Sequence, residues 1–230
     1  MNNEDLEKVV SDIEKSGFGA EMRVLQLLRN HQWNSTGLCS YVDMDTGQTR
    51  ESDITGHHWI RKTDNPSGLE SVSFYSLSIE VKKSSKPWVV FKEVPQSKVF
   101  RGGEGWQCPI HYRNLIEENK QLTTKAMMEN SLSEVMGWYG NGVHEAFKNP
   151  DQPSRWYSSF VSVCKATEHS LSRNSGGGNG GESSGPPFIH IFKPVIVLDG
   201  VILSAELNAK NNIEVQQIDM CSVQFNFSSP

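Results

Sequence analysis

The sequence predicts an α/β fold, a sheet accompanied by helices. Three observations carry that expectation. Apolar residues recur at helical spacing near the start, in Leu6, Val9, Val10 and Ile13 and again in Val24, Leu25, Leu27 and Leu28. Strand patterns fill 38–83 and resume at 188–227. Between them, 154–171 is an amphipathic helix built on Trp156, Tyr157, Phe160, Val161, Val163 and Cys164. With 230 residues, 36% of them hydrophobic and 21% charged, the chain suits one soluble globular domain over 1–230 rather than a disordered polymer.

Taken in order, Asn3 or Asp5 can cap the first helix, which Gly17-Phe18-Gly19 interrupts. The second helix starts at about Ala20 and ends near Asn30-His31. Glu21 lies in its first turn, where a carboxylate also favours the helix dipole. Leu38 to Asp45 reads as a strand, Thr46-Gly47-Gln48 as a turn and Thr49 to Gly56 as the returning strand of a hairpin. A polar insertion follows from His57 to about Ser71. Val72 to Lys83 is a largely buried strand marked by Phe74, Leu77, Ile79 and Val81, and Pro87 to Phe91 is a short strand or the entry to a helix.

A helical middle segment is expected at about 113–172. Leu115 to Met136 has apolar residues at mixed helical spacing, Gly137, Gly140 and Gly142 break the pattern, and Pro153 suits the start of the helix after it. Residues 173–187 are Ser/Gly-rich without an apolar side chain, a flexible loop. Extra C-terminal strands at 188–228 (Phe188 to Leu198, Val201 to Leu207, Ile213 to Ile218 and Val223 to Phe227) would complete the sheet begun at 38–83.

Several function classes recede on composition. Cys39, Cys108, Cys164 and Cys221 are scattered without CxxC spacing, so they read as reduced residues of a cytoplasmic protein rather than a zinc or disulfide framework. No apolar run approaches the roughly 18 residues of a membrane span. No Gly-X-Ser-X-Gly frame supports a serine hydrolase, and Arg101-Gly102-Gly103-Glu104-Gly105 lacks the Lys-Ser/Thr ending of a phosphate loop. The net charge of -5 does not announce a nucleic-acid binder. Charge is uneven, however: from Glu80 to Arg101 there are Lys82, Lys83, Lys86, Lys92, Lys98 and Arg101 against Glu80 and Glu93. Such a basic stretch is compatible with an approaching phosphate backbone.

Ionisable side chains inside strand patterns are the most informative feature. Residues i and i+2 of a strand share a face. Glu80 and Lys82 therefore share one, as do Glu51 and Asp53. If the two strands are neighbours, Asp53, Glu80 and Lys82 converge. Two carboxylates and an ammonium at one place suit a hard divalent cation with an amine left to handle water, the chemistry of phosphodiester hydrolysis. Glu51 is the rival of Asp53, which lies nearer the strand end. A structural ion-pair cluster is the bland alternative.

The segments Gly19-Ala20-Glu21, Arg50-Glu51-Ser52-Asp53-Ile54 and Ile79-Glu80-Val81-Lys82-Lys83-Ser84, in that order, resemble the PD-(D/E)XK nuclease superfamily and its Mrr-like branch over roughly residues 17–92. Ser52 stands where the family motif has proline, and 26 residues separate Asp53 from Glu80. The resemblance implies a restriction-endonuclease-like fold, a mixed central sheet flanked by helices, and a magnesium- or manganese-dependent endonuclease. It implies Asp53 as first acid, Glu80 and Lys82 as the acid-X-lysine element and Glu21 as helix acid. Asp53, Glu80, Glu21 and the Val81 carbonyl would hold Mg²⁺ or Mn²⁺, and Lys82 would orient water. DNA is the expected substrate ahead of RNA, with Lys83, Lys86, Lys92, Lys98 and Arg101 against it. Restriction, phage defence or repair in a prokaryotic cytoplasm, and a homodimer or a recruiting protein partner, belong to the same expectation. A non-catalytic binding module on this fold is the alternative.

Among the remaining candidates, His57 and His58 point to opposite faces of a strand and cannot easily ligate one ion together. Trp88 or Trp106 could stack on a base, although core packing is the commoner role.

Overall fold

A computed structural model describes residues 2–63, 70–93, 110–113, 115, 119–120, 137–149, 151–175, 187–225 and 227, with the backbone alone at 62, 63, 70, 71 and 113. The chain opens with α1 (Asn3–Ser16) and α2 (Phe18–Asn30). Asn2 is the cap of α1: its side chain accepts from Asp5 N–H while the Asp5 carboxylate accepts from Asn2 N–H, a reciprocal capping box. Gly17 links the helices at φ 96, a left-handed conformation that glycine adopts without strain. Every residue of α1 but Glu14 is exposed, and the helix lies along α2. In α2, Ala20 is buried with Val24, Leu25 and Leu28 against the sheet.

Two sheets follow. The first has the order β1-β2-β3-β7-β5, formed by β1 (Asn34–Val42), β2 (Thr49–Thr63), β3 (Glu70–Lys83), β7 (Phe188–Asp199) and β5 (Ile110–Arg113). β1, β2 and β3 are antiparallel, whereas β3 and β7 are parallel from Val72↔Phe188 to Lys83↔Asp199. The sheet is therefore mixed, as expected. The second sheet has the order β6-β4-β8-β9, from β6 (Tyr139–Glu145), β4 (Trp88–Glu93), β8 (Ile202–Leu207) and β9 (Ile213–Ile218).

α2 covers one face of the first sheet over Ile54, Ile79 and Val81. The helix α3 (Arg155–Ser175) lies against β3 and β7. A second core joins Trp88, Val90 and Val143 to Trp156 and Phe160 of α3 and to Ile196 and Leu198 of β7. α3 is also clipped to the β1–β2 turn. Lys165 Nζ lies 2.8 and 2.9 Å from the two Asp43 oxygens and 2.7 Å from Asp45. The Lys165 hydrogen bond holds the Asp43 carboxyl below its usual range.

The fold departs from the sequence reading in four places. The C-terminal strands do not all complete the first sheet: β7 does, while β8 and β9 build the second with β4 and β6. Beyond them, Val223 makes only an isolated bridge to Gly140. The supposed polar insertion is mostly strand, since β2 runs to Thr63 and β3 starts at Glu70. Its polar residues find cross-strand partners: His57 Nδ1 is 3.0 Å from Ser76 Oγ, and Trp59 packs on Phe74 with ring centroids 4.0 Å apart. Within the expected helical segment, Tyr139–Glu145 is a strand. A Cβ at Gly140 would overlap Val90 Cγ1, so this glycine permits close strand packing rather than ending a helix. The Leu115–Met136 helix falls almost wholly outside the described residues.

Candidate active site

The β2–β3 ladder ends at Ile54↔Ile79, and Asp53 stands one residue beyond it. Its Oδ2 accepts the Val81 N–H at 2.7 Å, so the side chain carries on where backbone pairing stops. On β3, Ile79 and Val81 face α2. Glu80 and Lys82 alternate with them and turn toward α3, where Ser162 Oγ donates to Glu80 Oε2 at 3.4 Å. Tyr41 OH lies 3.5 Å from that serine hydroxyl. Lys82 Nζ is 2.5 Å from Glu80 Oε1 and 3.8 Å from Asp53 Oδ2. Asp53, Glu80 and Lys82 thus meet at one point.

The electrostatics follow from depth. Glu80 is 8% exposed. Burial pushes its carboxyl above the usual carboxylate range, and the Lys82 hydrogen bond opposes that shift. Glu21 is raised as well, chiefly by burial and then by the negative charge of Asp53. Glu51 is exposed and pairs with Ser40, away from this centre.

Above the acids opens a cleft of about 490 Å³. Lys15, Lys82, Lys83 and Arg155 line it together with Glu21 and Asp53, four cations against two carboxylates. The α1–α2 elbow at Ser16 and Gly17 forms part of the wall. Lys15, Arg155 and Ser162 were not singled out from the sequence. A lysine beside a glycine elbow and an arginine opening a helix are weak signals, because neither reveals that two distant segments face Asp53.

The basic stretch is divided by the fold. Lys83 reaches the cleft wall, where its Nζ donates to the Glu14 carbonyl at 2.6 Å. Lys92 belongs to the second sheet, 2.9 Å from Glu206 and 5.2 Å from the Trp138 ring centroid. Lys86 holds the Ser84 hydroxyl through its backbone. Lys98, Arg101 and Trp106 lie outside the described residues. Trp88 is 5% exposed and belongs to the core rather than to a stacking surface.

Asp53 and Glu80 offer hard oxygen donors to one cationic point, which fits a divalent ion of the Mg²⁺ type in charge and donor chemistry. Among the described residues, however, no group of three or more His, Cys, Asp or Glu side chains stands at ligand spacing.

Fold and site together define an α/β chain of mixed sheets with a buried carboxylate–lysine centre under a cation-lined cleft. Comparison with protein-family models, curated proteins and solved structures finds no match. Among the described residues, no helix is long and apolar enough to cross a membrane.

Proposed function

We propose that this chain is a metal-dependent phosphodiesterase of the PD-(D/E)XK type that cleaves nucleic acid, DNA ahead of RNA. The supporting observation is the meeting of Asp53, Glu80 and Lys82, two of which, Asp53 and Lys82, line a cleft with an excess of cations. A phosphodiester needs its charge neutralised, its attacking water positioned and its leaving oxygen stabilised. Asp53 and Glu80, joined by Glu21 and the Val81 carbonyl, would hold Mg²⁺ or Mn²⁺. When bound, such an ion makes water more acidic and offsets charge on the phosphoryl oxygens. Lys82 orients the attacking water and neutralises developing charge. Lys15, Lys83 and Arg155 grip flanking phosphates, and the packing of Ile54, Ile79 and Val81 against α2 on the opposite face anchors the strands that carry the acids. Restriction, phage defence or repair is the setting this reading suggests.

The test incubates purified protein with supercoiled, linear and single-stranded DNA, with and without Mg²⁺. Cleavage that needs the ion and disappears in Asp53→Ala, Glu80→Ala and Lys82→Ala is expected; normal cleavage by Glu80→Ala would overturn the assignment.

One observation favours a second reading, a non-catalytic binding module. Lys82 already bridges the carboxylate pair, and no third described ligand joins it. Calorimetric titration with Mn²⁺ separates the two, since a binding-only module should show no ion site that depends on Asp53.

A further inference from the structure

We infer that β9 is a self-association edge: two copies of the chain pair β9 with β9, antiparallel and centred on Val215, to join their four-stranded sheets into one. The inference is independent of the nuclease reading. Each edge strand carries backbone N–H and C=O groups that lack a ladder partner on one side, and proteins usually protect such edges with kinks, glycines, charges or covering segments. Three of the four edges here have protection. β1 is interrupted at Leu38, which has φ 50. β5 has only 4 residues. β6 carries Gly140 and Gly142, and the returning chain covers it where Gly140 N–H donates to Ser222 O at 2.8 Å and Gln224 N–H donates to Gly140 O at 2.7 Å.

Among the described residues, β9 has no kink, glycine or covering segment. Its 6 residues keep an unbroken register with β8, from Ile202↔Ile218 to Leu207↔Ile213. The strand has no Pro, Gly or Lys, and Glu214 is its one charge. No described residue pairs with its outer edge. Ile213 is 73% exposed and Val215 is 55% exposed, on the face they share with the 64% exposed Leu207.

The sequence of β9 favours a second copy as the occupant. Pairing about Val215 sets Val215 against its own copy, which continues the row of Ala205 and Val215 across the junction, and puts Ile213 opposite Gln217 of the second copy. It places Glu214 opposite Gln216 of the second copy, where the amide can donate to the carboxylate. A shift of the centre to Glu214 would set two carboxylates face to face, which is destabilising. Both strands then satisfy their backbone groups by strand addition.

Sedimentation equilibrium of the full chain is the test. The wild-type mass should double as concentration rises. Val215→Lys and Val215→Glu should each stay at the monomer mass and keep the circular dichroism spectrum of the folded chain, because the side chain is exposed. An equimolar mixture of the two variants should recover the doubled mass, because lysine then faces glutamate. A wild-type chain that remains monomeric, a charged variant that still dimerises through another surface such as the α1 face, or a mixture that stays monomeric would each overturn the inference. If the charged variants do not fold, hydrogen exchange of the wild-type β9 amides decides: protection that grows with concentration supports the pairing, and protection independent of concentration refutes it.

Discussion

Lys82→Met keeps most of the side-chain stem and removes the charge that holds Glu80 and Asp53 together. Among the described residues, Glu80 has Lys82 Nζ at 2.5 Å and the more distant Ser162 hydroxyl, at 3.4 Å, as side-chain partners. Removing one partner of a buried ion pair costs about 3–5 kcal/mol. The Lys82 side chain is 31% exposed, so water replaces part of its charge. The expected loss at neutral pH is therefore about 2–3 kcal/mol. In a chain of this length that corresponds to a fall in Tm of roughly 4–12 °C. The effect also has a sign with pH. Burial holds the Glu80 carboxyl above its usual range, so protonation favours the folded chain as pH falls through that raised value. A protonated Glu80 no longer needs the ammonium, and the gap between variant and wild type narrows in acid. Urea unfolding followed by circular dichroism at neutral and mildly acidic pH measures both quantities. Excess Mn²⁺ should restore the variant, by about 2.7 kcal/mol at a hundred times its Kd. Equal stability of the two proteins at both pH values refutes the idea that Lys82 holds the acids. A variant that Mn²⁺ does not rescue refutes the idea that the acids can hold a divalent ion.

Three other outcomes follow from the same structure. Lys15→Ala and Arg155→Ala should each weaken DNA binding and lower the slope of log K against log salt by about 0.9, as read by fluorescence anisotropy over a salt series. His190 is buried between Ser76 and neighbouring aromatic rings, and its imidazole is lowered from 6.5 to about 4. The unfolded chain therefore takes up a proton first as pH falls below 6.5, and stability is lost progressively toward pH 4 by up to about 3 kcal/mol. His190→Phe should flatten that slope in a pH series of thermal melts. Gly140→Ala should destabilise the second sheet by about 1–3 kcal/mol, since its methyl group meets Val90 Cγ1; an unchanged denaturation midpoint would show that β6 can move away from β4.

The centre at Asp53, Glu80 and Lys82 was legible because it rests on local rules. Alternation fixes which residues of β3 face α3, and the acid-bearing strand is the next one along the hairpin. The stripe of Val24, Leu25 and Leu28 and the amphipathic pattern of α3 were legible for the same reason. The separate second sheet was not. β4 pairs with β6 and β8, so its partners are set by contacts between distant segments that no local period encodes. Gly140 looked like a helix breaker because a glycine required by Val90 has the same sequence appearance as one required by a turn. Lys92 looked like part of a phosphate-binding stretch, yet its ion pair with Glu206 depends on where β8 lies. Arg155 escaped notice because only the packed position of α3 carries it to Asp53.

The parallel union of β3 with β7 has a consequence for biogenesis. Glu80 and Lys82 sit on a strand whose neighbour on one side is β7, made only after α3. During synthesis, the acids and the lysine emerge long before the strand that lies beside β3. Loop-closure entropy makes such distant pairing a late and slow event. A growing chain therefore carries the β2–β3 hairpin, with Asp53, Glu80 and Lys82 on it, beside an open edge of β3 until residues 188–199 leave the ribosome.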